Sequence, residues 1–196
     1  MNNETWRVIP SLEERYEVCL ETSALRATHN KKPLKLNPNG YYNSSWGVDG
    51  VKFRWGRSAT SLLDEVFPFW WIRELEEGEE AKACYGFPGY FITTFGRVYS
   101  THQHQWIKLA VKEPYYYQFS LYLEGKRKKC YSHTLVGRTF LPEWEEGLFI
   151  LHRDETLSYP EINHPENLWA GTQKDNVLDA MKKERQAGWV KFDKPP

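Results

Sequence analysis

Between Leu151 and Gly188 the sequence reads LHRDETLSYPEINHPENLWAGTQKDNVLDAMKKERQAG. Three side chains in this stretch have the types and order that suit hydrolysis of a phosphodiester. His152 ends an apolar run of Leu148, Phe149, Ile150 and Leu151, Asn167 precedes Leu168 and Trp169, and Asn176 falls on a stretch of helical spacing. A neutral His, with an ordinary pKa of about 6.5, takes a proton from water near neutral pH. A side-chain amide such as Asn167 accepts from the far ring nitrogen and holds the tautomer. A divalent ion on the scissile phosphate stabilises the pentavalent transition state and the leaving 3′ oxygen. Mg2+ favours hard oxygen ligands, which the Asn176 carbonyl and a nearby carboxylate provide. Asp154 is the nearest carboxylate, ahead of Asp175 and Asp179. A lone His beside an apolar run is more often a packing or surface residue than a catalyst. Here Arg153 and Asp154 follow at once, so the strand ends at His152 and opens into a polar loop.

These side chains need two strands and a helix to bring them together. The apolar run supplies the first strand and Leu168–Trp169 the return strand. Gly171-Thr172 turns the chain into a helix with Thr172 as N-cap and Gly188 as its end. Along that helix Asn176, Ala180 and Lys183 share a face, and Val177, Leu178 and Met181 are expected to pack inward.

Upstream, one unit occurs twice at an offset of roughly 74 residues. RYEVCLETSALRA (Arg15–Ala27) lies over GYFITTFGRVYST (Gly89–Thr101), and PLKL (Pro33–Leu36) over WIKL (Trp106–Leu109). YYNSSWGVDG (Tyr41–Gly50) lies over YYYQFSLYLEG (Tyr115–Gly125), and ATSLLDEVFP (Ala59–Pro68) over HTLVGRTFLP (His133–Pro142). Each copy reads as a small antiparallel sheet followed by a short helix, with Asp49-Gly50 and Glu124-Gly125 as hairpin turns. The expected organisation is a degenerate first unit at 1–68, an acidic helical linker at 69–82, a second unit at 83–142 and a final segment at 143–196. The fold class is α+β. The copies differ chemically: Arg97 and His133 of the second correspond to Ser23 and Ala59 of the first, and the basic run Lys126, Arg127, Lys128, Lys129 faces the less basic Val51–Trp55. The first unit is therefore expected to be structural or to serve a protein partner or dimerisation.

Charge distribution supports an anionic partner for the second unit only. The whole chain of 196 residues has formal net charge zero. Between Cys84 and Phe140, however, eight Lys or Arg face two acids, a local excess of +6 to which phosphates respond. Aromatics make up 16% of residues, including nine Trp. Large rings fill the thin cores of small β-rich units, and the alternative use is a stacking surface. Cys19, Cys84 and Cys130 are odd in number and lack a CxxC pair, which argues against a structural zinc site or a disulfide framework and fits a reducing cytoplasm. The N-terminus shows no basic segment followed by an apolar run, and no apolar stretch approaches 18 residues, so neither secretion nor a membrane span is expected.

The segment LHRD…HPENLWAGTQKDNVLDAMKKER resembles the HNH endonucleases whose motif runs HRCDNPxCxNPEHLxLGTxxDNMRD. SHTLVGRTFLP (Ser132–Pro142) resembles the HRLVAxxFLP segment upstream of that motif. WRVIPSLEERYEV (Trp6–Val18) and YGFPGYFITTFGRVYS (Tyr85–Ser100) both look like the short module that opens many of these enzymes. The resemblance implies a ββα-metal nuclease motif after the two units, with His152 as general base, Asn167 orienting the loop and Asn176 as metal ligand. It also implies Mg2+ or another divalent cation, no zinc, and double-stranded DNA as partner in a bacterial or phage-infected cell. Arg97, Lys126, Arg127, Lys128, Lys129, His133, Arg138, Arg153 and Lys174 are the expected DNA contacts, and Asp154 the accompanying metal ligand. The chain departs from the pattern in four ways. Leu151 stands where some relatives carry a metal-binding Asp, the family cysteines are absent, NPEH appears as HPEN so that His164 and Asn167 exchange types, and the loop Arg153–Ile162 is longer.

Three functions follow in order of preference. The first is a divalent-metal-dependent DNA endonuclease of homing type that nicks or cuts duplex DNA. The second is a catalytically impaired DNA-binding descendant, and the third a protein- or glycan-binding module on the aromatic first unit. With eight residues beyond Gly188, sequence reading by the first is expected from the sheets of the two units.

Overall fold

The computed structural model describes residues 4–112 and 116–188. It separates into two compact units: one runs to Leu75 and includes Thr101–Gln105, and the other comprises Glu76–Ser100 and the chain from Trp106 onward. The first unit opens with strands β1 (Trp6–Val8), β2 (Tyr16–Cys19) and β3 (Leu25–Ala27), paired antiparallel in chain order. A long hairpin follows, β4 (Tyr41–Val48) with β5 (Val51–Ser58), in register from Tyr41↔Ser58 to Val48↔Val51. Its turn places Asp49 at φ 49° and Gly50 at φ 81°, the two left-handed residues that a tight two-residue hairpin requires. Helix α1 (Ala59–Val66) starts where the Ser58 hydroxyl accepts the Ser61 N–H, and it buries Leu62, Leu63 and Val66.

The second unit uses the same succession. Strands β6 (Ala81–Ala83), β7 (Tyr90–Thr93) and β8 (Val98–Ser100) form an antiparallel sheet continued by the short β9 (Gln105–Trp106). Then come β10 (Ala110–Lys112), β11 (Tyr116–Leu123) and β12 (Lys126–Tyr131), also antiparallel, with Glu124 and Gly125 at positive φ in the last turn. Helix α2 (Ser132–Phe140) follows directly. The starts of β1 and β6, β2 and β7, β3 and β8, β4 and β11, β5 and β12, and α1 and α2 are separated by 73 to 75 residues each. Tyr115, which opens one aligned segment, lies outside the described residues.

One expectation about the connections needs correction. The segment 69–82 is not a helical linker: it holds a single 3-10 turn at Trp70–Glu74 and the first residues of β6. The C-terminal segment belongs to the second unit. Strand β13 (Phe149–His152) pairs with β14 (Leu168–Gly171) from Phe149↔Gly171 to His152↔Leu168, and helix α3 (Gln173–Gly188) follows. Ile150 and Leu168 from this hairpin join Tyr90, Ile92, Val98, Phe119, Leu121, Leu135 and Val136 in one core. Burying apolar surface in this way stabilises roughly 25 cal/mol per Å2, and a hairpin of four residue pairs has too little of its own to stand alone.

Glycine sets the closest approach in that core. A Cβ on Gly137 of α2 would lie 2.5 Å from Ile150 Cγ2 and 2.6 Å from its Cδ1, so the helix rests on β13 through a bare backbone. Among the described residues no helix is long and apolar enough to cross a membrane.

Candidate active site

His152 is the last residue of β13, where strand pairing with Leu168 ends and the Arg153 N–H donates to the Asn167 carbonyl at 2.7 Å. The 153–167 loop is then held by Asn167. Its Oδ1 accepts the Asp154 N–H at 2.9 Å, and its Nδ2 donates to the carbonyls of Asp154 and Ile162, both at 2.9 Å. One buried amide thus satisfies three backbone groups of the loop, which would otherwise be costly to bury.

Because the Asn167 side chain is spent on the loop, it does not hold the His152 tautomer as expected from sequence. The polar side chain that bears on the ring is Asn163, which favours the ring's charged form, while His152 Nε2 is buried without a partner. Asn163 Nδ2 is likewise buried without a partner. Asn163 itself is buried at the end of the 3-10 turn Glu161–Asn163 and packs beside Gly96. Nothing periodic marked it in the sequence. The only available signal was a third Asn in a polar loop close to Asn167.

Burial pushes the His152 pKa below its usual value, and the Asn163 side chain and the Glu155 charge offset that only in part. The ring is neutral at pH 7. His133, from the first turn of α2, packs at 4.7 Å between ring centroids and is itself pushed down to about 3 by burial and by its neighbour His152. His133, expected on DNA, is buried and neutral and not among the exposed basic groups. It forms part of the wall.

Beside the two rings lies a cleft of about 360 Å3 lined by Tyr116, His133, His152, Glu155, Asn176, Asp179 and Lys183, among others. Helix α3 presents Asn176, Asp179, Ala180 and Lys183 to it. The helix start is fixed by a reciprocal cap, with the Asp175 N–H donating to Thr172 Oγ1 at 3.2 Å and the Thr172 N–H to the Asp175 carboxylate at 2.9 Å. Val177, Leu178 and Met181 are exposed, not packed inward. What moors this helix is polar. Lys183 Nζ donates to Glu155 at 2.7 Å and to the His152 carbonyl at 3.2 Å, and it pairs with Asp179 at 2.5 Å. Although burial alone disfavours charge on Lys183, the bonds from Asp179 and Glu155 raise its pKa.

The carboxylate expected from Asp154 is elsewhere. It accepts from the Thr156 N–H at 2.8 Å and the Thr156 hydroxyl at 2.6 Å, bonds that hold its pKa below the usual range, and Asp154 does not line the cleft. His164 faces Phe95 at 6.1 Å and is likewise outside it. Arg97, expected on DNA, is committed inside the unit. Its guanidinium forms a two-pronged pair with Glu79 and lies 4.5 Å over the Trp106 ring. Burial would raise the Glu79 carboxyl, but the Arg97 and Thr93 hydrogen bonds bring it below its usual value. In contrast Lys126, Arg127, Lys128 and Lys129 are all exposed along β12, as are Arg138, Arg153 and Lys174.

Two antiparallel strands with a histidine at the end of the first, followed by a helix that turns an asparagine into the same cleft, define a ββα unit of HNH type, and the chain belongs to the HNH endonuclease family. It is 31% identical over 124 residues to DNA endonuclease I-HmuI of Bacillus phage SP01, a match covering 59% of this chain and 70% of that protein. A solved structure described as DNA binding and cleavage by the HNH homing endonuclease I-HmuI has 29% identity and a TM-score of 0.46; the match covers 57% of this chain and 65%, just under two thirds, of the solved one. No family model matches the chain.

Proposed function

We propose that this chain is a divalent-metal-dependent endonuclease that hydrolyses phosphodiester bonds of double-stranded DNA. The observation that carries the reading is the buried, neutral His152 ring, with an unpartnered Nε2, in the wall of the cleft that Asn176 also lines. Nε2 accepts a proton from a water poised against the phosphate, and the Asn163 side chain, which favours the charged ring, steadies the imidazolium that results. Lys183, bonded to the His152 carbonyl, fixes the strand end that carries the ring. The Asn176 carbonyl and a carboxylate of the cleft would hold the ion. Among the described residues no three His, Cys, Asp or Glu side chains converge as an all-protein cage, and a hard cation that keeps several of its waters needs none. When bound, such an ion neutralises charge developing on the phosphate and leaving oxygen.

The exposed basic strand β12, with Arg153 and Lys174, would grip the backbone near the cut. Such contacts position the duplex without reading its sequence. The recurrence of elements at 73 to 75 residues supports a duplicated module, in which the first copy keeps the fold and has a less basic counterpart of β12. Leu151, apolar and buried where some relatives carry a ligand, favours a second reading, a DNA-binding protein with impaired chemistry.

One experiment separates the two. Supercoiled plasmid with Mg2+ or Mn2+ should be nicked by the wild type and not by His152→Ala, while both bind duplex equally. Failure of the wild type to nick with any divalent ion sinks the enzyme reading and leaves the binding one.

A further inference from the structure

The cleft needs a carboxylate that Leu151 cannot supply. Of the nearby acids, Asp154 is bonded to Thr156 and Asp175 to the Thr172 cap. Among the described residues the carboxylates that line the cleft are Glu155 and Asp179. Asp179 follows Asn176 by one helical turn, and both line the same cleft, as side chains three positions apart on a helix can. His152, only 8% exposed, stands in this wall with its Nε2 unpartnered. Two carboxylates facing one space repel unless a cation lies between them. Here that cation is internal: the Lys183 ammonium bridges Asp179 and Glu155.

We propose that Asp179 is the carboxylate ligand for the divalent ion beside Asn176, and that Lys183 is a resident counter-cation which the ion must displace from Asp179. The inference rests on the metal-dependent reading above and deepens it. Relocating the ligand from the end of β13 to α3 lets Leu151 join the apolar interior without emptying the site of negative charge. It also makes metal affinity a competition: an ion of charge +2 gains the carboxylate only when the ammonium withdraws, keeping its bonds to Glu155 and the His152 carbonyl.

The test is Mn2+ binding to the full chain, read from the EPR signal of free Mn2+, with and without duplex DNA. Asp179→Asn should weaken binding by about tenfold or more, as should Asn176→Ala, whereas Asp154→Asn should stay within about twofold. Lys183→Met should tighten binding, and that gain should vanish in the Asp179→Asn background, because nothing is left to compete for. A purely structural lysine would not show this dependence. Asp179→Glu serves as the conservative control, and thermal melts confirm that each variant is folded. If Asp154→Asn loses Mn2+ while Asp179→Asn does not, the ligand is Asp154 and the nuclease reading stands without this proposal. If Lys183→Met tightens binding equally in both backgrounds, the competition is refuted. If no variant, Asn176→Ala included, alters Mn2+ binding with duplex present, the metal site fails together with the reading it deepens.

Discussion

Replacing Gly137 by alanine should destabilise the nuclease unit, although alanine is the better helix former. A Cβ there would meet Ile150 Cγ2, Cδ1 and Cγ1 at 2.5, 2.6 and 2.7 Å, closer than carbon atoms approach. Ile150 is itself buried, so its side chain has no empty space to swing into. Overpacking of this kind costs about 1–3 kcal/mol, and the better helix propensity of alanine returns up to ~1 kcal/mol. The net loss is about 0–2 kcal/mol, a fall of up to roughly 8 °C in thermal midpoint for a chain of this size. The decisive measurement is a double-mutant cycle by urea denaturation. Ile150→Ala alone should cost about 2–5 kcal/mol. In that background all three offending atoms are gone, and Gly137→Ala should become stabilising by up to ~1 kcal/mol. A change of sign between the two backgrounds is the signature of close approach. Should Gly137→Ala stabilise the wild type, or destabilise both backgrounds alike, the argument for bare-backbone packing of α2 on β13 is wrong. Plasmid nicking should fall with stability in Gly137→Ala, because a displaced β13 carries His152 with it.

Three further outcomes are expected. His133 is pushed from about 6.5 to about 3 by burial and its neighbour His152, so between those values the unfolded chain binds more protons than the folded one. Stability should therefore fall as pH drops below 6.5, by about 2 kcal/mol at pH 5 from this group; His133→Phe should flatten that limb in urea titrations, and an unchanged limb would count against the buried neutral state. Asn167→Ala leaves the Asp154 N–H and the carbonyls of Asp154 and Ile162 short of a partner, a loss of about 1–3 kcal/mol per buried group that hydrogen exchange should register as faster opening of residues 153–167. On exposed β12, replacing Lys126 and Lys128 with Gln should lower the slope of log affinity against log salt by roughly 0.9 per lost phosphate contact; an unaltered slope would place the duplex on another surface.

Much of the scaffold was legible because short-range chemistry dictated it. Asp49-Gly50 marks a hairpin turn by the backbone angles it tolerates, and Leu148–Leu151 followed by Arg153 marks a strand end at His152. The side chains that complete the site were less visible. Asn163 sits in a loop without periodicity, and the ring it bears on is eleven residues earlier in sequence but adjacent in space. On α3, hydrophobic spacing pointed to the wrong face: Val177, Leu178 and Met181 are exposed, because Lys183 and the Thr172–Asp175 cap tie the polar face to the hairpin instead. Arg97 read as a phosphate contact since nothing local announces Glu79, eighteen residues away, as its partner.

The shared core has a consequence for how such proteins are inherited. The stretch that names the family does not carry its whole core, since Ile150 and Leu168 share one with residues of β7, β8, β11 and α2. The smallest transferable cassette is thus the catalytic hairpin together with the sheets that precede it, and a recombination break between Phe140 and Phe149 would strand both halves with a wet apolar face.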